Sequence, residues 1–266
     1  MTKTAIRFDS RFNCFVAGRR RMTGAHAILR KWYNADYASL GFLRAPAMEY
    51  DEPADGAENA EKADPAAAAA AGPVVSTELK AKTDVPVDGL SAVERGRRVD
   101  EDIRAWASTG SMPADAHAYA RRFARACNKW KLEPVGSQGI CGIPKARVAT
   151  QYDVLLKTPR GKLVLVEVKT GSSADAFRAA PTAVAIPAER RWCGEAASLP
   201  QNQLTYACLQ LLLTGLLFYR THNRKIAHMF VIHLHPLGVS AYCVDNQPWA
   251  KRVLSDMKFR IGQRMD

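Results

Sequence analysis

Two acids and a lysine stand out by type and spacing. They are Asp153, in Gln151-Tyr-Asp153, and Glu167 with Lys169, in Val164-Leu-Val-Glu167-Val-Lys169-Thr-Gly171. Side chains alternate faces along a strand, so Glu167 and Lys169 point one way while Val164, Val166 and Val168 point the other, into a core. Thr158-Pro-Arg-Gly-Lys162 between the two runs reads as a turn centred on Arg160. A symmetric hairpin about Arg160 sets Asp153 directly across from Glu167, about 5 Å apart at Cβ. A one-residue slip would put them on opposite faces. Two carboxylates held this close repel unless a cation lies between them. A hard divalent cation answers that need: Mg²⁺ accepts one or two carboxylates, waters and phosphate oxygens. Lys169 adds a charge able to orient a water or to neutralise charge developing on a phosphate.

The elements that must hold these groups follow in order. Ser91-Ala-Val-Glu94 has the spacing of a capping box and opens a helix to about Ala107. A second helix is expected from Ser111, with Pro113 in its first turn, to about Lys131. Strands are expected over 132–141, 148–157 and 163–169, and residues 172–198 read as irregular. An apolar helix runs from Pro200 to about Tyr219, a strand pair covers 226–235 and 239–244, and a last helix starts near Pro248. That helix from Pro200 is interrupted by Thr205, Gln210, Thr214 and Gly215 and falls short of the roughly 20 apolar residues a bilayer needs, so no membrane partner is expected.

This arrangement resembles the PD-(D/E)XK nuclease superfamily, particularly its lambda-exonuclease and RecB-type branch. The residues that carry the likeness are Asp153, Glu167-Val-Lys169, Thr170-Gly171 and the helix bearing Gln201-Asn-Gln203-Leu-Thr-Tyr206. Gly96-Arg-Arg-Val-Asp100 is similar to that branch's Gly-x-x-x-His motif, with an acid where the His is common. The resemblance spans about residues 90–245. It implies an α/β fold with a restriction-endonuclease-like αβββαβ core, a central mixed sheet flanked by helices. It also implies that Asp153, Glu167 and the Val168 carbonyl hold Mg²⁺ or Mn²⁺, with Asp100 as a further candidate. Lys169 would position the attacking water, and Gln203, or else Gln201, would steady Lys169 or the phosphate. The implied reaction is metal-dependent hydrolysis of DNA, by an exonuclease of end processing, recombination, repair or genome maintenance. Tyr206 and the histidines of one expected strand, His228, His233 and His235, read as structural.

The chain has 266 residues, with Lys+Arg 38 against Asp+Glu 26 and a formal charge of +12. Such an excess favours a polyanionic partner, here linear duplex or single-stranded DNA. Arg97 and Arg98 on the first helix, and Arg190, Arg191 and Trp192 in the irregular insert, are the expected phosphate and stacking contacts. The six cysteines are scattered without a CxxC pair, which argues against a zinc ribbon or zinc finger and fits reduced thiols in an intracellular compartment; the iron–sulfur cysteines of some members of the resembled family are absent, so neither zinc nor an iron–sulfur cluster is expected. Nucleus (a host nucleus if the source is viral), cytoplasm and mitochondrion all stay open. So do a single-strand-binding or recombination partner protein and a homo-oligomer.

Residues 1–48 read as a basic N-terminal arm able to form helix. Residues 49–87, with clustered acids and the run Ala66 to Ala71, read as a disordered linker, and 88–266 as the nuclease domain. The N-terminal extension is therefore expected to be poorly ordered. Two other readings remain: a nuclease-like nucleic-acid-binding protein without turnover, and a basic protein-interaction scaffold.

Overall fold

The computed structural model describes residues 5–9, 14–35, 89–171 and 191–265. Along the chain these form β1 Ile6–Asp9, β2 Cys14–Ala17, β3 Arg20–Gly24, α1 Ala25–Tyr33, α2 Ala92–Thr109, α3 Ala118–Lys129 and β4 Glu133–Ile143. Then follow β5 Val148–Lys157, β6 Leu163–Thr170, a short 3-10 turn Gly194–Ala196, α4 Gln203–His222, β7 Ile226–His235, β8 Gly238–Cys243 and α5 Ala250–Gln263. The strands make one mixed sheet in the order β1-β2-β3-β5-β6-β7-β8, with β4 paired to β5. Helices cover both of its faces.

β6 is the spine. Its first six residues, Leu163 to Val168, are all buried, and it lies parallel to β7 and antiparallel to β5. A run without polar alternation is what a strand covered on both faces requires. The β5–β6 turn closes with Thr158 N–H donating to the Lys162 carbonyl at 2.9 Å, and Gly161 takes φ +71°. Val154 consequently pairs with Val166 and Leu156 with Val164, a register symmetric about Arg160.

One face of the sheet carries Val154, Leu156, Val164, Val166, Val168, Ile232 and Leu234 against α2 and α3. α2 presents Val99, Ile103 and Trp106 to it, a stripe at helical spacing. The Ser91 Oγ accepts from Glu94 N–H while Ser91 N–H donates to the Glu94 carboxylate at 2.9 Å, so the capping box is complete. At the other end Gly110, at φ +75°, turns the chain left-handed. α3 starts later than its sequence suggests: His117 caps it, and Met112 to Ala116 form a loop held by Arg98. The opposite face carries Leu155, Leu163, Leu165 and Val231 under α1, α4 and α5. α4 buries residues around most of its circumference because it sits between sheet and helices. Among the described residues, no helix is long and apolar enough to cross a membrane.

Within the expected N-terminal arm, the described residues 5–9 and 14–35 include a helix and pack on the main body. β1 to β3 form a small antiparallel meander, and β3 joins the main sheet parallel to β5 through Thr23–Val148 and Gly24–Ala149. α1 then places Ile28, Leu29, Trp32 and Tyr33 in the main core. Its outward Arg30 and Lys31, with the exposed Arg19, Arg20 and Arg21 before it, make the segment basic while its inward face is apolar. The expected linker, 49–87, lies outside the described residues.

Candidate active site

Asp153, Glu167 and Lys169 meet where the β5–β6 ladder ends. The last paired residues are Val154 and Val166. One step further, Asp153 Oδ2 accepts a hydrogen bond from Val168 N–H at 2.8 Å, so the acid itself bridges the strands. Glu167 is 1% exposed, and its Oε1 accepts from Lys169 Nζ at 2.6 Å. Its Oε2 is buried with no hydrogen-bond partner among the described residues. Such an oxygen is costly unless a cation or donor reaches it.

α2 brings the third acid. Gly96 lies against the end of β6, where an added Cβ would be 3.6 Å from Thr170 Oγ1. One turn on, Asp100 enters the field of the sheet acids. Burial raises the Asp100 carboxyl to about 7, with Asp153 adding to the rise and Lys169 opposing it. Its residue surface is open toward the cleft, so solvent there tempers the push. Asp153, half-buried, also rises to about 7, through desolvation first and then repulsion from Glu167. Glu167 shifts upward too, again chiefly by burial, against the pull of Lys169. Three acids therefore share one ammonium, and the cluster lacks positive charge.

Among the described residues no three His, Cys, Asp or Glu side chains converge as a ready-made metal cage. What the strands offer is leaner: two carboxylates, one with an undonated buried oxygen, and a strand-end carbonyl. That donor chemistry fits Mg²⁺ or Mn²⁺, which keep several waters and take phosphate oxygens as ligands.

A cleft of about 470 Å³ opens beside the cluster, lined by Val93, Gly96, Arg97, Asp100, Arg104 and Gln138 among others. Gln138 is a residue the sequence reading missed. It lies in β4 opposite Asp153, between the pairs Ser137–Val154 and Gly139–Tyr152. Its φ of +53° is unusual for a strand residue, and the Gln151 side chain donates to its carbonyl at 2.7 Å. The available signal was Gly136 and Gly139 flanking it in a strand. A Cβ at Gly139 would lie 2.2 Å from the Tyr152 ring.

Gly171, just after Lys169 and Thr170, is also dictated by packing, since a Cβ there would meet His233 Nε2 at 2.3 Å. His233 pairs with Lys169 in the ladder, and burial, reinforced by His235, drives its ring down to about 3, so it stays neutral. Gln203 opens α4 half-buried, while the neighbouring Asn202 is the cap, accepting from Thr205 N–H at 2.8 Å. α4 also brings Cys208 alongside: burial raises that thiol to about 12, with Cys243 and Glu167 contributing. Tyr206 is 1% exposed, its hydroxyl 2.6 Å from His26 Nδ1 on α1.

The expected nucleic-acid contacts divide. Arg97 lines the cleft. Arg98 does not: its guanidinium is occupied by Asp115 at 2.6 Å and Asp102 at 3.3 Å. Trp192 is 3% exposed and belongs to the main core, so it is no stacking platform. The cause is α1, which docks the segment through Asn34 Nδ2 to the Arg191 carbonyl and Cys193 N–H to the Tyr33 carbonyl. Arg191 remains exposed, and Arg190 lies outside the described residues.

No protein-family model and no curated protein matches the chain. Among solved structures, one described as the crystal structure of SSO0001 aligns over 65% of this chain and 71% of its own, at 13% identity and a TM-score of 0.28.

Proposed function

We propose that this protein is a metal-dependent deoxyribonuclease with a restriction-endonuclease-like core, acting as an exonuclease on DNA ends. The observation that carries the reading is Glu167: a carboxylate 1% exposed, bonded to Lys169 through one oxygen and undonated at the other, beside Asp153. Burying a carboxylate with one oxygen unmet is costly to a fold. Mg²⁺ or Mn²⁺ held by Asp153, Glu167 and the Val168 carbonyl, with Asp100 at the edge, would supply the charge that polarises a phosphoryl oxygen and acidifies a water.

The chain's own groups do the rest. Val168 N–H fixes the Asp153 carboxylate. Glu167 holds the Lys169 ammonium at 2.6 Å, where it orients the attacking water and neutralises charge gathering on the phosphate. Arg97 and Arg104 line the adjoining cleft and engage flanking phosphates. Gln203, at the start of α4, steadies Lys169 or the scissile phosphate once substrate enters.

The test is degradation of linear against circular DNA with Mg²⁺, with Mn²⁺ and with EDTA. Linear DNA is consumed only with metal, and Glu167→Gln or Lys169→Ala lowers the rate by at least about 10³-fold, roughly 4 kcal/mol of transition-state stabilisation. A second reading, DNA binding without hydrolysis, is favoured by the absence of a three-ligand cage among the described residues. Retained DNA affinity with no turnover in any divalent metal would select it.

A further inference from the structure

A second cleft, of about 530 Å³, lies at the opposite end of β6 from the acids, lined by Gly161, Lys162, Arg224, Lys225, Ala227 and His228 among others. Leu163 and Ile226 are the first partners of the parallel β6–β7 pair. Lys162 and Lys225 immediately precede them, so two ammonium stems start side by side, with Arg224 next in the chain. Like charges on neighbouring strands destabilise a sheet. Nothing on the cleft offsets them: no acid lines it, and among the described residues Lys162, Arg224 and Lys225 form no ion pair. The nearby Asp245 is taken up by His228 at 3.5 Å and by Met229 N–H at 2.7 Å.

Two features support a role for these cations beyond local structure. First, the ladder slips between Leu163 and Val164, leaving Ala227 as an extra residue in β7 beside the cleft. Bulges re-aim neighbouring side chains and are built features of sheets. Second, the C-terminal dipole of α4 is already met by Arg220 and His222 in its last turn, whereas Arg224 and Lys225 lie beyond its Asn223 cap.

We propose that this cleft is a second anion site, taking the phosphodiester backbone of a nucleic-acid strand about 17 Å along β6 from the acid cluster. A strand, rather than a small anion, is the occupant because the cations are strung along two chain segments at an open cleft and the whole protein carries +12. It would hold DNA at a distance from the cut. The inference rests on the nucleic-acid half of the proposed function and is independent of hydrolysis.

The test is fluorescence anisotropy in EDTA with labelled single-stranded DNA of about 30 nucleotides, across a salt series. Lys162→Glu/Arg224→Glu/Lys225→Glu lowers affinity at least about tenfold, and the log–log salt slope shrinks by about 2, since each single-strand phosphate contact adds about 0.7. Lys162→Gln/Lys225→Gln, which relieves the repulsion without reversing charge, raises the melting temperature of the DNA-free protein while weakening DNA. Unchanged affinity and slope in the triple variant overturn the proposal. So does a fall in melting temperature for the Gln pair, which would make the lysines structural, and so does wild-type protein that binds tripolyphosphate but not DNA. Cleavage lost in Glu167→Gln while the triple variant binds normally leaves the hydrolytic reading standing and removes this one; the reverse pattern does the opposite.

Discussion

Asp153 joins β5 to β6 by accepting from Val168 N–H, yet as an anion it is a liability to the fold. Its carboxyl sits near 7 in the folded protein, raised by burial and by Glu167, and near the ordinary 3.9 when unfolded. The folded state thus binds the proton more tightly, and stability is full below about pH 4 and drains as pH rises through 7. Asp153→Asn keeps the acceptor for Val168 N–H and removes the charge. Metal-free Asp153→Asn is expected to be more stable than wild type by about 2 kcal/mol at pH 8, allowing for solvent at a half-buried group, with the two converging below pH 4. Denaturant melts at the two pH values check this, and a purely structural ion pair with Lys169 would give the opposite sign at pH 8. Asp100, also near 7, should behave alike in Asp100→Asn, with a smaller gain because its surface is open. The pairing behind these effects was legible in the sequence, because a tight turn about Arg160 leaves one symmetric register that keeps both apolar faces buried. Gln138 was overlooked: the positive φ it takes within β4 is signalled only by the nearby strand glycines Gly136 and Gly139, which name no function for the residue between them.

Among elements, α1 separates composition from position. Its Arg30 and Lys31 lie outward while Ile28 and Leu29 are 0% exposed. Charge counting over the first 48 residues averaged those two faces together and hid a stripe that the spacing Ile28, Leu29, Trp32, Tyr33 displays. Leu29→Ala should cost about 3 kcal/mol in chemical denaturation; a detachable arm would show no change. Trp192 fails for a related reason, since a Trp beside two arginines looks like a stacking platform until the helix that buries it is recognised. α2 was readable because its signals are local: Ser91→Ala should remove about 1 kcal/mol by deleting the cap, with cleavage per folded molecule unchanged. The start of α3 was not, because Arg98 holds the preceding loop through Asp115, a contact between distant residues.

At the scale of the whole molecule, the sheet has two chemically different ends. Acids gather at the C-terminal end of β6 and cations at its start, with a spine of buried aliphatic residues between. The mixed sheet with helical layers on both faces could be anticipated from alternating strand and helix patterns. The edge formed by β1 to β3 could not, since those short strands take their places only through long-range pairing with β5.

That pairing has a practical corollary. The piece ending at Ala35 and the piece beginning at Gly89 are joined in the folded body by the Thr23–Val148 and Gly24–Ala149 pairs and by α1 seated on α4. Nicking the peptide anywhere from 36 to 88 should therefore leave two fragments that co-elute, and two separately expressed halves should reconstitute a complete molecule. The N-terminal fragment would then be a removable part of the core, and Leu29→Ala in that fragment alone should weaken reassembly.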